Sequence, residues 1–161
     1  MTMERKKKIR VLRYCIVGLV LLTVVLLAVS VYTLIYGLTG AISGSGFGLK
    51  LDTNGPNGDW ILRFDGSPRN PGFLSTRLFI HIGVLDPAGQ YIVSNSSSVD
   101  IPPGGQSRFS VVLTIPLAAV QKYSLNQTQG AQATFELIFG IRTLGDLVGF
   151  TQTLRIQGSP Q

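Results

Sequence analysis

The sequence predicts a mainly β protein: an N-terminal transmembrane helix followed by a seven-stranded antiparallel β-sandwich that carries one short helix. Three observations lead there. The first is a 25-residue run without a charge, "YCIVGLVLLTVVLLAVSVYTLIYGL", Tyr14 to Leu38. The second is a period-two alternation of apolar residues through most of the remaining chain. The third is a turn signal at nearly every junction between the alternating stretches.

Residues 1–13, "MTMERKKKIRVLR", form a basic tail with six Lys or Arg against the single Glu4. The uncharged run 14–38 makes a helix of about 37 Å against a hydrocarbon core of about 30 Å, so one tilted span fits. Tyr14, Tyr32 and Tyr36 lie toward its ends, where amphipathic rings favour the headgroup level. The positive-inside rule then makes the tail cytoplasmic and the rest extracytoplasmic, a single-pass protein of the cell membrane. A cleaved signal peptide is the competing reading, with small residues at Ala28-Val29-Ser30, but its apolar region runs only about 7–15 residues.

The net charge of +6 belongs almost wholly to this tail, leaving eight basic and seven acidic residues from Tyr14 onward. A basic surface for nucleic acid is therefore excluded. The single cysteine, Cys15, sits at the cytoplasmic edge of the span. It reads as a small apolar residue before it reads as an acylation site, and the exported part has no disulfide.

Residues 39–46, "TGAISGSG", are small and suit a flexible tether, with the β-sandwich domain over 47–161. Strands follow at "FGLKLD", "WILRFD", "STRLFIHIGVLD", "YIVS", "SRFSVVLTI", "ATFELIFGI" and "LVGFTQTLRI". Inward rows are predicted at Leu78, Ile80, Ile82 and Val84, and at Phe109, Val111, Leu113 and Ile115. "DPAG" at 86–89 has the Pro and Gly of a type I turn. The prolines of "GSPRNPG" (66–72) and "PPGG" (102–105) cannot donate into a ladder, so both segments are connections. "PLAAVQKYSL" (116–125) starts with proline and continues in helix formers, a short helix closing one end of the sandwich. Packing two antiparallel sheets face to face buries this many single-faced strands.

One segment has the look of a chemical site. "DTNGPNGD" places Asp52, Asn54, Asn57 and Asp59 within eight positions, which suits either calcium or a tight turn. An EF-hand loop needs an acid or amide at its fifth position, glycine at the sixth and glutamate at the twelfth. Pro56, Asn57 and Arg63 stand there instead. Asn-Gly at 54–55 and again at 57–58 favours the positive φ of a hairpin, so the turn is the preferred reading and a non-EF calcium site the alternative.

The only histidine, His81, lies mid-strand between Phe79 and Gly83, without a second soft ligand or a nucleophile elbow nearby. The aspartates fall in or beside turns, where they cap their own backbone. Glu136 alone is within a strand, on the face that carries Thr134, and a cross-strand pair with Arg155 accounts for it. No catalytic residue, metal site or cofactor-binding motif is assigned, and the chain is read as a non-enzyme. The sequons Asn95-Ser96-Ser97 and Asn126-Gln127-Thr128 fall in predicted loops and are the glycosylation candidates.

From Trp60 to Tyr123 an ordered series appears: a strand into Asn70-Pro71, a long alternating strand, a turn at Gly89, a short strand, "IPPG" at Ile101 to Gly104, then a strand into Ile115-Pro116 and a helix. This series resembles the LEA-2 or WHy (water stress and hypersensitive response) domain. The resemblance implies an immunoglobulin-like sandwich without catalytic residues, and a role in stress protection or at the cell surface. Two functions follow from the sequence as a whole. One is a structural or protein-interaction module that binds another envelope or membrane protein. The other is a protective, client-binding domain of the LEA-2 kind.

Overall fold

The computed structural model describes residues 3–43, 47–125 and 133–157, with side chains from residue 11 to 36 in the first segment. Helix α1 spans Met3–Ser43. Within it Val11–Tyr36 is long and apolar enough to cross a membrane. Side chains from Val11 to Ala28 are exposed on every face of the helix, as they are in lipid. The helix runs on through Ser43, into the stretch read as a tether. No proline interrupts residues 39–43, and extending an existing helix costs far less than nucleating one.

Among the described residues, seven strands form two sheets. One has the order β1-β2-β5, from β1 (Gly48–Asp52), β2 (Trp60–Gly66) and β5 (Phe109–Ile115). The other has the order β4-β3-β6-β7, from β3 (Thr76–Leu85), β4 (Tyr91–Ile101), β6 (Thr134–Thr143) and β7 (Val148–Gln157). Every pairing is antiparallel. Helix α2 (Leu117–Lys122) carries the chain from β5 towards β6. It starts directly after Pro116, as the sequence indicates.

The predicted inward rows are the core. Leu78, Ile80, Ile82 and Val84 of β3 and Phe109, Val111, Leu113 and Ile115 of β5 are all buried, with Val120 of α2 beside them. Burying one such aliphatic side chain contributes about 1.5–3 kcal/mol, so these rows dominate the cohesion of the sandwich.

One strand is longer than its sequence suggests. The sequence predicts a strand over Tyr91 to Ser94, whereas β4 continues to Ile101 and pairs with β3 throughout. As a sheet edge it keeps small polar residues along a half-solvated ladder, so no apolar alternation marks its second half. Asn95 is consequently a strand residue and not a loop residue. Asn126 lies outside the described residues.

The two ends of the sandwich differ. One is built from the 67–75 loop, the 102–108 connection and the turn at residues 144–147 between β6 and β7; Thr76 and Val148 both pair with Thr143 there. The other holds the 53–59 turn, the 86–90 turn and α2. Helix α1 meets the first end.

Candidate functional site

Asp52 and Asp59 bracket a turn, and one carboxylate oxygen of each accepts from backbone. Asp52 Oδ1 accepts from Asn54 N at 2.9 Å. Pro56–Gly58 make one 3-10 turn, with Asn57 at φ 63° and Gly58 at φ 78°. Asp59 Oδ1 accepts from Leu117 N at 3.0 Å, which ties the turn to the start of α2. The carboxylates thus face different partners and do not converge. Among the described residues, no three His, Cys, Asp or Glu side chains are grouped closely enough to hold a metal.

A polar cluster occupies the outer face of the β4-β3-β6-β7 sheet. Glu136 is only 2% exposed there. Tyr91 donates its hydroxyl to Glu136 Oε1, and Arg155 Nε donates to Oε2 at 2.6 Å. Glu136 and Arg155 are direct cross-strand neighbours, the pairing their sequence positions suggest. The Tyr91 hydrogen bond, then the Arg155 one, hold the Glu136 carboxyl below its usual range. The same bond raises the Tyr91 phenol, since the hydroxyl must keep its proton to donate it.

The His81 ring meets Tyr91 edge to face at 5.2 Å. A Cβ on Gly83 would lie 2.6 Å from the Tyr91 ring, so a glycine at this position is what lets the ring lie flat on the sheet. His81 Nε2 is buried with no hydrogen-bond partner among the described residues. The arrangement is that of a locked ion pair under an aromatic lid. Ser96 is the cross-strand neighbour of His81, but His81 Nε2 makes no hydrogen bond to it, and among the described residues no second carboxylate joins Glu136.

The third feature is an opening in the side of the sandwich. Asn95 of β4 reaches β5 and donates Nδ2 to Val112 O at 2.6 Å, closing one flank. On the opposite flank, among the described residues, β1 pairs only with β2 and β7 only with β6, leaving two sheet edges facing each other. Two hollows of about 370 and 350 Å³ run between them and share Phe64 and Leu137. The first is lined by Phe47, Phe139 and Phe150, the second by Leu49, Leu51, Trp60, Leu154 and Ile156. Leu154 and Ile156 remain 52% and 60% exposed although they point inward. From Phe150 to Ile156 the cleft follows seven strand residues, about 20 Å. Alternation identifies these inward residues from sequence but cannot say that the facing strand is absent, so the cleft becomes visible only in the fold.

No protein-family model matches the chain, and no curated protein matches it in sequence. Solved structures of similar shape are at low identity. A β-glucuronidase from glycoside hydrolase family 2 is 12% identical over 68% of this chain and 11% of its own, with a TM-score of 0.40. The Bacteroides uniformis β-glucuronidase is 12% identical over 68% of this chain and 12% of its own, with a TM-score of 0.47. A structural-genomics target, SoR45, is 10% identical over 68% of this chain and 81% of its own, with a TM-score of 0.38. The chain thus spans about an eighth or less of the two glycosidases.

Proposed function

We propose that this chain is a single-pass, membrane-anchored extracytoplasmic β-sandwich that acts as a structural or protein-interaction module of the cell envelope or of a membrane complex. The observation that carries this reading is the apolar cleft between β1 and β7. A closed sandwich would bury Leu49, Leu51, Leu154 and Ile156 against each other. Here they line a groove flanked by two edges whose outward N–H and C=O groups take part in no ladder.

Both properties suit one kind of occupant. An extended segment with apolar residues at alternate positions can lay them in the groove while its backbone pairs with an edge. The partner is accordingly another envelope or membrane protein that offers such a segment. The polar cluster around Glu136 supports a non-enzymatic role, because its carboxylate is already committed to Tyr91 and Arg155.

The same groove favours a second reading, in which it shields exposed apolar segments of many unfolded proteins, as in a LEA-2-like protective domain. Purification of the full chain from gently solubilised membranes separates the two. A defined protein recovered at fixed stoichiometry supports the interaction module. No fixed partner, together with an isolated domain that keeps unrelated proteins soluble, supports the protective reading. Recovery of lipid in place of any protein would overturn both. Protease added to intact cells tests the orientation: the sandwich should be lost and a short N-terminal fragment protected.

A further inference from the structure

Residues 30–33 of helix α1 touch one end of the sandwich. Ser30 and Thr33 of the helix are fully buried, and the Tyr32 ring stacks on Phe73 at 5.6 Å. A Cβ on Gly72 would lie 2.5 Å from Thr33 Cγ2, so the loop and the helix are in close contact. These helical residues belong to the last two turns of the apolar stretch Val11–Tyr36.

Length fixes where those turns lie. Twenty-six residues make about 39 Å of helix, roughly 9 Å more than a hydrocarbon core of about 30 Å. Arg10 and Arg13 hold the other end at the opposite headgroup layer. With Arg13 at that layer, a core of about 30 Å takes about 20 residues and ends near Thr33, so the turns that meet Gly72 and Phe73 lie at its outer boundary. The sandwich end that touches them stands at headgroup depth.

That end has the chemistry of a membrane surface contact. Phe73, in the 67–75 loop, is 70% exposed, and Leu147, in the β6–β7 turn, is 85% exposed. Both are held on rigid supports. Asn70, fully buried, donates Nδ2 to Leu74 O at 2.7 Å and Ile101 O at 3.1 Å, and accepts from Gly72 N at 3.0 Å. Arg77 clamps the other turn through Asp146 at 3.0 Å. Arg69 and Arg142 are exposed at the same end, and neither has a carboxylate partner among the described residues. Arg142 lies over the Phe79 ring at 5.2 Å, and apolar tips beside arginines that neutralise no carboxylate match the acyl boundary and phosphates of a bilayer interface.

We infer that the sandwich does not swing on a tether but is seated on the bilayer that α1 crosses, with Phe73 and Leu147 inserted in the headgroup layer. This rests on the reading of α1 as a membrane span. It also fixes the cleft, since Phe47 and Phe150 lie at the seated end and Trp60 and Ile156 at the far one. The groove then runs away from the membrane surface.

The test uses the full chain in nanodiscs of phosphatidylcholine and phosphatidylglycerol, with Cys15→Ser as background. Single thiols are introduced by Val20→Cys, Ser75→Cys, Leu147→Cys or Ala88→Cys and labelled with an environment-sensitive fluorophore. Quenchers sit either near the lipid headgroup or deep in the acyl chains. The expected result is loss of emission at 75 and 147 with the shallow quencher, loss at 20 with the deep one, and no loss at 88. Quenching at 20 without quenching at 75 or 147 overturns the seating and leaves the span intact. Absence of quenching at 20 overturns the span, and the seating with it. Full-length protein carrying Phe73→Ser and Leu147→Ser, labelled at 75, should lose the shallow quenching; unchanged quenching would also contradict the inference.

Discussion

Asn95 of β4 donates its side-chain amide to Val112 O of β5, joining the two sheets on the flank where the sandwich is closed. A net contribution of about 0.5–1.5 kcal/mol is expected from such a bond. Asn95→Ala should lower stability by that amount in a urea melt of residues 47–157. The donor is also the atom a glycan would occupy. Ser97→Ala, which removes the sequon and spares the bond, should leave both gel mobility and the melt unchanged.

The Glu136 cluster makes stability depend on pH at both extremes. The Glu136 carboxyl is depressed in the fold, so its contribution is present above the unfolded value and lost as pH falls through the folded one. The Tyr91 phenol is raised, so its contribution is present below its unfolded value and lost as pH rises through the folded one. Asp100, depressed by Arg77, adds to the acid limb independently. Melting temperature against pH should therefore fall less steeply in acid for Glu136→Gln than for the wild type, and Tyr91→Phe should flatten the alkaline limb. Equal acid slopes would remove Glu136 from the explanation.

In the 53–59 turn, backbone geometry matters more than carboxylate charge. Asp52→Asn with Asp59→Asn keeps an acceptor oxygen at both sites and should change stability within about ±0.5 kcal/mol. Gly58→Val places a β-branched residue at φ 78°, with Leu117 Cδ2 3.2 Å from its Cβ. It should cost about 1 kcal/mol or more. A calcium titration of the melt checks the alternative: a rise that the double Asp→Asn variant abolishes would restore a calcium site.

Cleft and core residues should separate by their energetics. Leu113 is 2% exposed, and Leu113→Ala should cost about 2–5 kcal/mol. Leu154→Ser, on a side chain half open to solvent, should cost less than about 1.5 kcal/mol while weakening partner recovery. Chemical denaturation of the two variants beside the wild type gives the comparison. Similar losses would mean that the groove is already closed.

Much of this architecture is legible in the sequence because its signals are local. Alternation in β3 and β5 marks their inward rows, Pro116 marks the start of α2, and two positions on adjacent strands bring Glu136 to Arg155. What escapes depends on partners distant in the chain. The second half of β4 is serine-rich and reads as loop until its pairing with β3 is seen. The Asn70 amide looks like an ordinary turn residue until Ile101 O arrives beside it from 31 positions away. The cleft exists because, among the described residues, no strand bridges β1 and β7, and a missing neighbour leaves no trace in either strand.

The central claim is that this cleft receives a segment of a partner protein. A photo-crosslinking residue placed at Leu154 in the full chain, in native membranes, tests it most directly, with Thr153 as the control on the opposite face of the same strand. The account predicts one discrete protein adduct from position 154 and none from 153. No adduct from 154, or the same adducts from both positions, would contradict it.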